Sequence, residues 1–205
     1  MKSHKPIPIL LMILVVAVLF NCHTSTAQAE VSFGNPNGQI VLVEYFDYNC
    51  PVCRGYAPYI NALAKQHPNL KVIQRVVPVL SPTSQFVDRA VLASYFQHKF
   101  SAMQSGIIHA PDRETVSPTE VMALAHHLGL NTEQLFHDMH DKQITQQLIK
   151  NVSDYRKTQQ HSVPVLVLYN TVAPNQKIQL NGTQSSATLQ TAMQELAAVP
   201  PPSRK

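Results

Sequence analysis

Three features of the 205-residue sequence predict a mixed α/β fold in the order βαβ, a helical insertion, then ββα. The run Ile40–Phe46 (IVLVEYF) is apolar on both alternating faces, as in a central strand covered from both sides. Helix signals begin at Cys50, and a second strand-like run at residues 70–80 (LKVIQRVVPVL) ends near Pro78, which completes a βαβ unit. Far downstream, VPVLVLYN and KIQLNG read as a strand pair ahead of a final helix.

Taken in order, residues 33–39 (FGNPNGQ) are turn chemistry, with Asn-Pro and Asn-Gly dipeptides ahead of the first strand. From Ser84 to about residue 160 the pattern is helical: Val87, Ala90, Val91, Ser94 and Tyr95 fall at helical spacing. Ser117-Pro118-Thr119-Glu120 is a capping-box start with proline at the first helical position, and Gly129 ends that helix. Asn131-Thr132-Glu133 opens a short helix, and a longer one runs from Asp141 to about Lys157. A turn near Pro174-Asn175 separates the late strands, and a last helix covers about residues 186–198, stopped by the prolines at 200–202. Residues 30–82 and 161–199 thus form the sheet-bearing domain, 83–160 an inserted helical domain, and 200–205 a disordered tail.

The first 29 residues stand apart. Lys2 and Lys5 precede an apolar run over residues 9–20, followed by polar residues ending in Ala27-Gln28-Ala29. That is the order of a secretory signal peptide, with cleavage expected before Glu30. The run is short of the ~20 residues a spanning helix needs. A retained membrane anchor is the competing reading, and a lipid anchor on Cys22 is disfavoured by the large Asn21 beside it. Cleavage lowers the net charge below the +4 of the whole chain, and no basic cluster marks a nucleic-acid footprint. It also removes Cys22, leaving Cys50 and Cys53 in an exported, oxidising setting.

Three chemistries compete for Cys50-Pro51-Val52-Cys53. As a staple, the pair closes too short a loop to restrict the unfolded chain much. As half of a zinc or copper site, it would need histidines such as His126, His127, His137 or His140, which equally suit a solvated helix surface. As a redox pair, it has local physics in its favour. Pro51 suits the first helical position, which makes Cys50 the N-cap, accepting from the Val52 and Cys53 amides at the positive end of the helix dipole. Both effects stabilise a thiolate, so Cys50 is the exposed attacking sulfur and Cys53, inside the first turn, the resolving one.

EYFDYNCPVC after a buried strand, with SVPVLVLYN much later, resembles the thioredoxin superfamily, and more narrowly the DsbA-like (Com1-like) thiol-disulfide oxidoreductases of the bacterial envelope. The resemblance covers the expected mature chain and implies a thioredoxin fold with a helical insertion between the second strand and a cis-proline strand. Val163-Pro164 matches the family's cis-proline loop, which faces the cysteines and pairs with substrate. Without the resemblance, it reads as a proline opening an edge strand. Glu44 matches the buried acid that can relay protons to the inner cysteine, and burial would raise its pKa. The alternative is a strand-end glutamate reaching water. Pro58 matches a helix-kinking proline.

The resemblance implies a periplasmic enzyme that introduces disulfides into cysteine-bearing exported proteins. It would be reoxidised by a DsbB-like membrane oxidase, need no bound cofactor and hold no metal, and act as a monomer, since too few residues precede the first strand for an N-terminal dimerisation module. One departure matters: strongly oxidising relatives resemble each other in a histidine between the cysteines, where this chain has Val52. A Cys50 less acidic than theirs is expected. The alternatives are a reductase or isomerase kept reduced by a membrane donor, and a copper- or zinc-binding carrier.

Overall fold

The structure, a computed structural model, describes residues 30–111 and 115–200. The expected signal peptide, with Cys22, and the residues after Pro200 lie outside the described residues.

Five strands form one sheet in the order β1-β3-β2-β4-β5: β1 Val31–Gly34, β2 Ile40–Phe46, β3 Leu70–Val76, β4 Val165–Asn170 and β5 Ala173–Asn181. The β2–β3 pair is parallel, and helix α1 (Pro51–Gln66) makes the crossover between them. All other neighbours are antiparallel. Between β3 and β4 come α2 (Pro82–Ala93), a 3₁₀ turn at Ser94–Gln97, α3 (Phe100–Ile108), α4 (Pro118–His127), α5 (Thr132–Asp138) and α6 (Lys142–Arg156); α7 (Ser186–Ala197) closes the described chain. The molecule is therefore an α/β thioredoxin-type sheet carrying a helical insertion.

The doubly apolar reading of β2 holds because every one of its residues is buried. Side chains alternate between faces along a strand. Ile40 and Leu42 pack with Ile60 and Leu63 of α1 and Leu189 and Leu196 of α7. Val41, Val43 and Tyr45 pack with Val87, Met103, Val121, Leu135 and Ile144 of the insertion. Full burial of each such aliphatic side chain contributes about 1.5–3 kcal/mol. The insertion thus forms the second layer over the sheet, tied to β3 by Asn151, whose side-chain amide donates to the Val76 carbonyl at 3.0 Å, and by the Arg75–Asp154 ion pair.

The capping box at Ser117 and Glu120 forms with both of its bonds, and Gly129 follows the helix with φ +75°. Three expectations need correction. Phe33 and Gly34 belong to β1 rather than to a turn; Gly34, at φ +82°, ends the strand where a Cβ would lie 2.6 Å from the Leu70 carbonyl oxygen. Pro174 and Asn175 lie inside β5, an edge strand that tolerates a residue lacking N–H. The turn falls at Thr171–Val172 because the Asn170 side chain accepts the Val172 amide at 3.1 Å. Finally, Ser94 and Tyr95 leave α2 for the 3₁₀ turn, and Tyr95 is exposed.

Candidate active site

Helix α1 starts as its sequence dictates. Pro51 occupies the first turn, where a missing N–H costs nothing, and Cys50 is the N-cap in extended conformation (φ −84°, ψ 115°). Its Sγ accepts the Cys53 amide at 3.3 Å, with the Val52 amide alongside. Val52 is 55% exposed, on the rim of the site. Pro58 sits inside α1, facing solvent. Both cysteines are free thiols and both are buried, which corrects the expectation of an exposed Cys50.

The loop entering the helix is held from three directions. The Cys50 amide donates to the Asp47 carbonyl at 3.0 Å and the Asn49 amide to the Asp47 carboxylate at 2.8 Å. The Tyr48 amide donates to Asp88 Oδ1 of α2 at 2.9 Å. Asn49 Oδ1 in turn accepts the Val116 amide at 2.6 Å. On the α1 side, Arg54 donates to the Tyr48 carbonyl at 3.2 Å.

Across from Cys50, the Val163–Pro164 peptide is cis. Cys50 Sγ donates to the Val163 carbonyl at 3.9 Å, a long sulfur contact that brings this loop against the thiol. Pro164 directly precedes β4, an interior strand, so the edge-strand reading falls. The loop is anchored by the insertion: Tyr155 of α6 donates its hydroxyl to the Ser162 carbonyl at 3.0 Å, while its ring packs on Tyr45 at 5.7 Å.

Glu44 is fully buried, so the water-reaching alternative also falls. Burial pushes its pKa up to about 7, against the hydrogen bond it accepts at 2.9 Å from the Gln74 side chain. Gln74 is itself fixed by Gln104 of α3, which donates to both Gln74 Oε1 and the Tyr48 hydroxyl. The two thiols differ as an attacking and a resolving sulfur should. The Cys53 thiol beside it, followed by the backbone amides, outweighs burial and holds Cys50 down to about 7. Burial, together with the neighbouring Cys50 and Glu44 charges, pushes Cys53 far up.

The structure thus brings together Glu44, Cys50, Pro51, Val52, Cys53, Val163 and Pro164. The histidines do not join them: among the described residues, no three His, Cys, Asp or Glu side chains converge as a metal-holding group. His140 instead bonds the Phe136 carbonyl, and His137 contacts Asp138. Sequence reasoning missed Asp47, Asn49, Gln74, Asp88, Gln104 and Tyr155. Only Asp88 left a signal: it shares a helical face with Ser84 and Val91, an acid on an otherwise buried stripe.

Comparison with known proteins agrees with this geometry. A family model described as Thioredoxin matches residues 26–194. A thioredoxin-like oxidoreductase from Silicibacter pomeroyi DSS-3 superposes with a TM-score of 0.73 at 28% identity, covering 83% of this chain and 94% of that one. Pseudomonas aeruginosa DsbA2 follows at 0.68 and 18% identity (80% and 92% covered). A periplasmic thioredoxin-like protein from Salmonella enterica serovar Typhimurium gives 0.64 and 19% identity (95% and 100% covered). Among curated proteins nothing matches. The chain belongs to the thioredoxin family, and its fold is of the DsbA-like kind.

Proposed function

We propose that this chain is a periplasmic thiol-disulfide oxidoreductase that introduces disulfides into exported proteins through Cys50 and Cys53. The observation that carries the reading is the asymmetry of the pair: Cys50 caps a helix and is held near pKa 7, while Cys53 is held protonated by burial. A similar structure described as an oxidoreductase, and another described as periplasmic, support the class and the compartment.

In the proposed cycle, a substrate thiolate attacks Sγ of Cys50 in the Cys50–Cys53 disulfide. A substrate–Cys50 bond forms and the electron pair of the broken S–S bond leaves on Cys53. Cys53 is buried, so its thiolate must take up a proton, and Glu44, poised near pKa 7, is the buried acid beside it. A second substrate thiolate then attacks the substrate sulfur of the mixed disulfide and Cys50 leaves as thiolate, its charge supported at the N-cap. The substrate has lost two electrons and two protons, and the pair is reduced. The Val163 carbonyl and Pro164, beside Cys50, would hold the peptide during the exchange. A DsbB-like membrane oxidase would restore the disulfide, and the chain would act as a monomer.

A Cys50 pKa near 7 favours a milder oxidant than DsbA, whose attacking cysteine lies at ~3.5. That mildness also keeps the reductase or isomerase direction in play. Thiol alkylation of intact cells separates the two: a disulfide pair in the resting cell supports the oxidase, and a dithiol pair the reductase or isomerase.

A further inference from the structure

Two acids outside the proposed exchange machinery lie under the loop that carries Cys50. Asp47 and Asp88 are both fully buried. Each spends Oδ1 on one backbone amide of that loop, Asp47 on Asn49 and Asp88 on Tyr48, and each leaves Oδ2 buried with no hydrogen-bond partner among the described residues. The Ser84 hydroxyl and the Val79 and Leu80 amides surround Asp47 without closing a bond to that oxygen. Among the described residues, these groups face the two acids. Cys50 and Cys53 lie on the α1 side; Tyr48, whose own ionisation Asp88 and Glu44 oppose, gives its amide to Asp88; and Arg54 donates to the Tyr48 carbonyl. A carboxylate with one amide donor in an unsolvated site is costly, and two in mutual range cannot both ionise cheaply.

We propose that Asp47 and Asp88 act as one two-carboxyl site behind Cys50, sharing a single proton and holding a single negative charge that opposes an ionised Cys50. This charge is a brake on the outer thiol, set against the helix N-terminus that favours the thiolate. The surroundings agree in sign: Asp47 raises the pKa of Cys50, and Asp47 and Cys50 both raise that of Asp88. Both are positioning residues, since neither carboxyl bonds the Cys50 sulfur, and Asp47 meets Cys53 only through its backbone.

A shared charge has a signature that two independent charges lack. In Asp47→Asn or Asp88→Asn, the remaining acid loses its competitor and keeps the charge, so Cys50 stays close to its wild-type acidity. In the double variant the charge is gone. Asparagine preserves the Oδ1 acceptor, so the loop bonds survive. The expected result, from ultraviolet thiolate absorbance of the reduced protein against pH, is a roughly tenfold larger Cys50 ionisation constant in the double variant. Each single variant should move it by less than about twofold. A single variant that reproduces the whole shift, or a double variant that leaves the constant unchanged, overturns the proposal. Carbon NMR of the wild-type Asp side chains gives an answer that does not depend on the variants folding. One of the two carboxyls should keep its proton at neutral pH; both ionised, or both protonated, contradicts a shared charge. The role in exchange rests on the function proposed above, but these measurements read the thiol and carboxyls directly, so a protein without exchange activity would still decide the matter.

Discussion

Glu44 and Gln74 face each other across the parallel β2–β3 pair, and the Gln74 amide donates to the Glu44 carboxyl at 2.9 Å while the second carboxyl oxygen is buried without a hydrogen-bond partner among the described residues. One hydrogen bond does not offset complete burial, so the folded protein holds a proton on Glu44 to about pH 7, whereas the unfolded chain releases it near 4.5. Between those values the native state binds more protons than the unfolded state, and stability falls as pH rises. The penalty is absent below pH 4.5, grows to about 3 kcal/mol by pH 7, and is constant above. Glu44→Gln removes it. Urea unfolding should find the variant more stable than wild type at pH 8 and nearly equal at pH 4. A stability difference independent of pH would contradict this account.

The same substitution should slow the chemistry it stabilises against. If Glu44 supplies the proton that Cys53 takes, Glu44→Gln lowers the rate of disulfide transfer at neutral pH on the order of 100-fold. It should also flatten the part of the pH–rate profile centred near 7. Stopped-flow mixing of the oxidised protein with a reduced peptide measures both.

The Val52 side chain is exposed at the rim of the site and brings neither charge nor a hydrogen bond to Cys50, which meets Val52 only at its backbone amide. Val52→His places a titratable cation there. The Cys50 ionisation constant should rise about tenfold, and the equilibrium with glutathione should shift by a similar factor toward the dithiol, ~30 mV more oxidising. Glutathione redox titration is the check; an unchanged equilibrium would show that the rim position does not set the poise.

Tyr155 reaches from the insertion to hold the Ser162 carbonyl, next to the loop that faces Cys50. Tyr155→Phe removes one neutral hydrogen bond, worth about 1 kcal/mol. Steady-state kinetics with a peptide substrate should show KM raised about fivefold with kcat less affected, and the Cys50 titration unmoved. A changed thiol pKa with unchanged KM would place Tyr155 in a different role.

Asn49→Ala leaves the buried Val116 amide without its acceptor. The expected cost is about 1–3 kcal/mol in denaturant unfolding. A cost near zero would mean that the amide finds another partner.

Much of this was legible in the sequence, and the parts that were not share a cause. The buried β2, the cysteine at the helix N-cap, and the capping box at Ser117 are written in adjacent residues, and each forms as local rules require. The short β1 was hidden because its last residues carry turn chemistry, and its pairing with β3 lies far along the chain. The β4–β5 turn was misplaced because Asn170 makes it with its own side chain, a quieter signal than Pro174. At the site, Glu44 could be read from its place in an apolar run. The contacts of Asp88 with Tyr48, Gln104 with Gln74, and Tyr155 with Ser162 depend on how the insertion lies on the sheet, which no local pattern encodes.

The most direct test of the central claim is a single transfer followed by mass spectrometry: the oxidised protein mixed with an equal amount of a reduced two-cysteine peptide. The account predicts that the peptide loses two hydrogens while Cys50 and Cys53 gain them. Cys50→Ala should abolish the transfer, and Cys53→Ala, offered a disulfide-bearing peptide, should accumulate a mixed disulfide at Cys50. A peptide left reduced by the oxidised wild-type protein, or a mixed disulfide found at Cys53 instead, would contradict it.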